Sequence, residues 1–393
     1  MNDLASPVLA LTRDLIARKS LTPDDAGCCE VLGARLQKLG FKLEHLNCEG
    51  VTNLWATYGS GSPLTILAGH TDIVPTGPLD QWASDPFTPT IRNGALYGRG
   101  AADMKSGLAA MVCAVERLLA PPSPQPSPAS GRGSGFIGTL AFLVTSDEEG
   151  MARHGTRHVV SVLKARGVKP DYAIVGEASS DQKLGDRMMI GRRGSLGCNL
   201  KVIGKQGHVA YPLKADNPIH RLAPALAELV ATRWDEGNEH FPPTSFQISN
   251  FHSGTGANNV IPGEAEVIFN FRYCTESTAD GLKQRVHAVL DRHGLKYVPD
   301  WWHTGEPFLT RHGALIAAAT AAIAEVARLT PTLFTGGGTS DARFLAPWGA
   351  EVIELGPIND SIHKVNEHVN VWDLDRLSRI YEGILRRLYT RNA

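Results

Sequence analysis

The chain has 393 residues, of which 42% are hydrophobic and 20% charged, with a formal net charge of -1. That length is more than one ordinary core organises, so two domains are expected. The balanced charge and the lack of a long apolar run exclude a nucleic-acid footprint, an acidic tail and a membrane-spanning helix.

In chain order, Ser6-Pro7 reads as an N-cap followed by proline at the first helical position. The stretch MNDLASPVLALTRDLIARKS mixes Asp3, Arg13 and Asp14 among apolar residues, which predicts an amphipathic helix rather than a secretion signal. Thr22-Pro23 repeats the start signal, and Gly40 is placed to close that second helix. FKLEHL, TNLWATY and LTILAG read as strands. A helix over 105–119, strand GTLAFLVTS, a helix near 155–166 and strand DYAIVG follow. This alternation predicts an α/β domain with a largely parallel sheet. Between them PPSPQPSPASGRGSG, 121–135, has nothing apolar to bury and reads as a surface loop.

After about Met189 the pattern changes. Strand GRRGSLGCNLKVIG, helix NPIHRLAPALAELVATRW, strands TSFQISNF and AEVIFNFRY, helix STADGLKQRVHAVLDRH and strand LKYVPDWW follow in turn. The order β-α-β-β-α-β matches the ferredoxin-like motif. From about 306 the helix–strand alternation resumes. The expectation is a discontinuous α/β domain, 1–190 and 306–393, with a compact α+β domain, 191–305, inserted. Cys28, Cys29, Cys48, Cys113, Cys198 and Cys274 have neither a metal nor a disulfide spacing, and read as free thiols of a reducing cytoplasm.

Five segments place acids or histidines at the end of an apolar strand or just before a helix: LTILAGHTD (His70, Asp72), GRGAADMKSG (Asp103), TSDEEG (Glu148, Glu149), DYAIVGE (Glu177) and IHKVNEH (His363). Ligands of α/β sheets gather at the carboxyl ends of strands. Imidazole and carboxylate together suit Zn²⁺. Two cations close together need a shared anion, and Asp103, on a glycine-flanked loop, is the candidate. His70 and Asp72 are two apart, so Asp72 can orient the imidazole through its other nitrogen. One glutamate of the 148–149 pair is expected to bind metal and its neighbour to act as general base. A zinc-stabilised scaffold without turnover is disfavoured, because structural zinc sites are cysteine-rich and no cysteine falls in these segments.

GHTDIVPTG, YGRGAADMKSG, TSDEEG and VGEASS resemble the four signature segments of the dinuclear zinc amidohydrolases, the family that includes aminoacylases, acetylornithine deacetylase and carboxypeptidase G. GRRGS, KQGHVAYP, NPIH, NNVIPGE, FNFRY, GGTSDARF and ELGPINDSIHKVNEHV extend the resemblance from about residue 5 to the C-terminus, 121–135 excepted. They narrow it to a branch whose substrate carries several carboxylates. The resemblance implies a catalytic domain with an inserted dimerisation domain, a cytoplasmic homodimer, and hydrolysis of the linear amide of a small-molecule substrate. It implies two zinc ions, with cobalt able to substitute in one. By position it assigns His70, Asp103 and Glu177 to one zinc and Asp103, Glu149 and His363 to the other. Glu148 becomes the acid/base and Asp72 its companion in catalysis. His208 would reach across the dimer to stabilise the oxyanion. Arg192, Ser195, Asn258, Arg272, Gly338, Thr339 and Asn359 would hold the substrate. Arginine suits that task because its planar fork bonds both carboxylate oxygens. Two departures from the usual pattern stand near the ligands: Ala178 where proline is usual, and the order Ser106-Gly107 after Lys105.

Overall fold

A computed structural model describes residues 6–120 and 137–389. The 121–135 loop reading lies outside them. The chain divides into two units, Met1–Ile190 with Leu309–Phe334 and Ser340–Ala393, and Gly191–Phe308 with Thr335–Thr339.

In the first unit Ser6 caps helix Pro7–Ile16 by accepting the Val8 N–H at 3.2 Å. Thr22-Pro23 does not open the second helix. The Thr22 N–H donates to the Ile73 carbonyl at 3.1 Å, which ties this stretch to the loop after His70. The helix begins at Cys28 instead, and the Asp25 carboxylate accepts the Cys29 N–H at 3.0 Å. Gly40, at φ +91°, follows its end as expected.

Eight strands form the main sheet, in the order Lys42–His45, Asn53–Ser60, Gly138–Thr145, Leu64–His70, Tyr172–Val175, Glu351–Glu354, Arg187–Met189, Thr332–Phe334. The middle strands, Gly138–Thr145 through Glu351–Glu354, run parallel to one another. Antiparallel pairs flank them, so the sheet is mixed rather than largely parallel. The reason is connection length: Asn53–Ser60 follows Lys42–His45 through a short reversal, which only an antiparallel pair permits. Helices Ser106–Leu119, Ala314–Ala327 and Val371–Tyr389 pack in the same core as Leu67, Phe142, Ile174 and Ile353 of the sheet.

The second unit has four antiparallel strands in the order Ser245–Ser253, Glu264–Tyr273, Gly194–Ile203, Tyr297–Gly305. Helices Pro218–Ala231 and Ala279–Arg292 complete it, each capped by a side chain, Asn217 and Thr278. Taken in chain order its elements alternate as the ferredoxin-like motif does. Strand Glu264–Tyr273 alternates between buried and less buried positions, the period of a sheet with one face on a core. Val267, Phe269, Phe271 and Tyr273 supply that face.

Candidate metal centre

Strand Leu64–His70 is buried along its whole length and ends on His70. Its parallel neighbour is aligned so that His70 stands opposite Thr145, and TSDEEG therefore turns at the same sheet edge. On the other side Ala68 pairs with Val175, which brings Glu177 to that edge as well. Asp103 arrives from the start of helix Ser106–Leu119, where it and Met104 leave helical dihedrals. Two glycines permit the approach. A Cβ on Gly107 would lie 2.2 Å from the Gly176 carbonyl oxygen, and one on Gly356 would lie 2.3 Å from that of Glu177. The departures noted in the sequence are accommodated here. Gly107 stands at the contact, and after Ala178 the hydroxyls of Ser179 and Ser180 bond the Gly356 N–H (3.1 Å) and carbonyl (2.8 Å).

The ligand candidates come together as two overlapping groups, His70–Asp103–Glu177 and Asp103–Glu149–His363, each with its donor atoms within 4.8 Å of one another. His70 Nε2 stands 3.1 Å from Asp103 Oδ1 and 3.6 Å from Glu177 Oε1. His363 Nε2 stands 3.2 Å from the other oxygen, Asp103 Oδ2, and 2.9 Å from Glu149 Oε1. One oxygen of Asp103 thus faces each group, the arrangement of a bridging ligand.

His70 Nδ1 donates to the main-chain carbonyl of Asp72 at 2.9 Å. The Asp72 carboxylate is farther, 3.6 Å, so the orienting partner is backbone where the sequence suggested the side chain. Either partner leaves Nε2 free as a lone-pair donor. The Asp72 carboxylate instead accepts the N–H groups of Glu148 (3.3 Å) and Glu149 (3.1 Å) and fixes that turn from one side. Asp147 fixes it from the other, accepting from Ala152, Arg153 and His154 at 2.9–3.1 Å.

The charges of the cluster act strongly on one another. Burial opposes a charge on His70, yet Asp103, Glu177 and Asp72 outweigh it and raise its basicity. Hydrogen bonds to Asp103 and Glu149 push His363 up to about 10. Burial and the adjacent Asp103 hold the Glu177 carboxyl well above its usual range. A divalent cation would favour the deprotonated form of each of these groups, because ligand atoms must shed protons to bind metal. Two imidazoles and three carboxylates around a shared aspartate fit a pair of such ions.

Glu148 belongs to neither group. Burial lifts its carboxyl to about 8, with Asp341 and Glu149 adding to the rise and His70 and Arg343 opposing it. Asp341, which accepts from Thr156 at 2.6 Å, is itself pushed up to about 6, chiefly by burial. A carboxyl poised near neutrality beside ligand groups can take and return a proton.

Asn359 lies in the first unit, its N–H on the Ser180 carbonyl at 3.0 Å. The remaining substrate candidates lie in the second unit, in two places. Ser195 and Arg272 are cross-strand partners. Arg192 Nη1 donates to the Gly336 carbonyl at 3.0 Å, which puts it beside the turn carrying Gly338 and Thr339. His208 is elsewhere, opposite Val260 on a two-residue strand, with Asn258 in the exposed turn just before. His208 Nδ1 accepts the Ala210 N–H at 3.0 Å.

Sequence reasoning missed Asp147, Asp341, Arg99 and Glu367. Asp147 sits inside a quoted motif, beside the two glutamates, and its buried position at a strand end is the signal that was available. Arg99 and Glu367 pair across 268 positions, which no local pattern discloses.

Known proteins resemble this chain along most of its length. Residues 66–387 match the model of peptidase family M20/M25/M40. The chain is 59% identical over 383 residues to succinyl-diaminopimelate desuccinylase of Thioalkalivibrio sulfidiphilus, covering 98% of this chain and 99% of the relative. Among solved structures it superposes on the M20 family metallo-carboxypeptidase Sso-CP2 of Sulfolobus solfataricus with a TM-score of 0.81 at 17% identity, over 98% and 99% of the two chains. It also matches the Bacillus subtilis YXEP protein, a dinuclear metal-binding peptidase of the M20 family, at a TM-score of 0.71 and 14% identity, over 98% of each.

Proposed function

The chain belongs to peptidase family M20/M25/M40, and from that premise we infer that it hydrolyses the amide of N-succinyl-LL-diaminopimelate to succinate and LL-diaminopimelate, a step of diaminopimelate and lysine biosynthesis. The observation that carries this reading is the near-full-length identity of 59% to a protein of that activity. The first unit is the catalytic domain. The second serves as dimerisation and lid domain of a cytoplasmic homodimer.

His70, Asp103 and Glu177 would hold one ion, and Asp103, Glu149 and His363 the other. Zinc suits this mix of imidazole and carboxylate, and cobalt can replace it in one position. Such ions polarise an amide carbonyl and make water more acidic. Glu148 takes a proton from the attacking water as its oxygen bonds the succinyl carbon. When the C–N bond breaks, Glu148 returns that proton to the departing amine. Asp72 keeps Glu148 in place through its backbone N–H. His208 donates to the oxyanion. Arg192 and Arg272 bind substrate carboxylates, with Ser195, Asn258, Gly338, Thr339 and Asn359 supplying the remaining polar contacts. Succinyl and diaminopimelyl carboxylates together justify two arginines.

Glu148→Gln tests the assignment. It should retain both ions while kcat falls about 10²–10⁴-fold, the usual contribution of a positioned acid/base. Loss of an ion from that variant would refute the separation of base from ligands. Hydrolysis of N-acetyl-ornithine in preference to the succinyl substrate would refute the substrate.

A further inference from the structure

Among the buried carboxylates that the mechanism does not use, Glu367 stands nearest the shared ligand in its bonding. Glu367 is 1% exposed and lies on the same loop as His363. Its Oε2 accepts from Arg99 Nη1 at 2.7 Å and from the Gly100 N–H at 2.9 Å. Its Oε1 accepts from the N–H groups of Ala102 at 2.8 Å and Asp103 at 3.0 Å. A carboxylate offers about four lone-pair positions, and all are taken. Every donor comes from the short segment 99–103 that ends on Asp103.

That segment needs such an acceptor. Asp103 departs from helical dihedrals at φ -119° and ψ 97°, and N–H groups at the start of a helix have no partner within it. A buried carboxylate is costly unless its charge is matched, and Arg99, 2% exposed, matches it. A neutral amide could not replace it, since one of its two arms would present hydrogens to the donors. Lys105, the buried cation nearest Asp103 in sequence, donates instead to the carbonyls of Leu15 and Arg18, each at 2.8 Å. The loop bearing Glu367 is itself closed. The Ser361 hydroxyl donates to the His368 carbonyl at 2.8 Å and accepts the His368 N–H at 3.0 Å. One closed loop therefore presents the His363 imidazole and grips the backbone of Asp103.

We propose that Glu367 is a positioning residue that sets the Asp103 carboxylate between the two ions, with Arg99 bonded to the other oxygen of Glu367. This rests on the reading of Asp103 as their shared ligand. Because the shared ligand is what it positions, its loss reaches both ions, whereas loss of Glu149 reaches one.

The test compares wild type, Glu149→Gln, Glu367→Gln and Glu367→Asp. Zn²⁺ stoichiometry and affinity are measured by chelator competition, and the visible spectrum is recorded after Co²⁺ loading. Glu367→Gln should weaken both ions about 10–100-fold, the usual effect of losing a residue that supports a ligand. Its Co²⁺ spectrum should change, and Glu367→Asp should recover part of both. Wild-type affinity for both ions with an unchanged spectrum in Glu367→Gln, while Glu149→Gln weakens one, overturns this proposal alone. A wild type that binds no pair of ions overturns the underlying reading with it. If Glu367→Gln does not fold, Glu367→Asp decides: both affinities weakened supports the role, and both unchanged overturns it.

Discussion

The two halves of the candidate metal centre offer the same donor types on different foundations. The His70 side chain is 1% exposed, at the end of a strand buried throughout. The His363 side chain is 50% exposed, on a loop where its own backbone takes a left-handed φ of +59°. Asp103 is common to both. A ligand locked in a core cannot step aside, while one on a loop can turn toward water. Equal donor sets therefore need not grip equally, and the expectation is that the ion on the His70 side is held longer.

The comparison can be broken first by truncating each histidine. Without metal, His70→Ala leaves Asp103 and Glu177 buried with a partner removed, and should cost about 3–5 kcal/mol. His363→Ala takes a half-exposed imidazole from the buried carboxylates of Asp103 and Glu149 and should cost less, about 1–3 kcal/mol. Equal losses in denaturant unfolding of the two apo-proteins would end the distinction. A smaller effect sharpens it. Gly107→Ala drives a methyl against the Gly176 carbonyl and should destabilise by about 1–3 kcal/mol, loosening the ion on the His70 side more than the other. Metal counting after Co²⁺ loading of that variant checks which ion suffers. Smaller again is the affinity gap in the wild type. Graded chelation should remove the ion on the Glu149–His363 side first, at an affinity at least about tenfold weaker, or about 1.4 kcal/mol. Glu149→Gln should then lack that first step.

The least effect is a baseline in the second unit, which carries neither half. Burial raises the Asp235 carboxyl, but hydrogen bonds from Ser277, Thr244 and Gly237 overcome this and hold it at about 2. The folded value lies below the unfolded one of about 3.9. Its contribution is therefore complete above about pH 4 and lost as pH falls through about 2. Because Asp235 is only partly buried, solvent screening holds this to about 1 kcal/mol or less. Unfolding of Asp235→Asn between pH 2 and 5 should show a flatter acid limb than wild type.

Much of the centre was legible because its signals are local. His70, Glu149 and Glu177 each follow an apolar strand, and Asp103 precedes a helix, so short windows sufficed to nominate them. Strand and helix order in the second unit was legible for the same reason. Partnership was not. That His70 leans on the carbonyl of Asp72 and not its carboxylate depends on how the chain bends after the strand. Thr22-Pro23 has the composition of a helix start, but a long-range bond from Thr22 to Ile73 outweighs the local signal. The Arg99–Glu367 pair depends on the final packing of distant loops.

The position of strand Glu351–Glu354 has a consequence for the order in which the protein is made. It lies between Tyr172–Val175 and Arg187–Met189, inside the main sheet rather than at its rim. A chain growing from its N-terminus exposes both neighbours long before their partner leaves the ribosome. The Gly191–Phe308 unit contains all four strands of its own sheet and can fold in that interval. The centre of the larger sheet must wait, and with it His363 and Glu367, which follow the late strand. Nascent chains arrested before residue 351 should therefore carry a finished second unit beside an unfilled gap, a stage at which unpaired strand edges invite capture by chaperones.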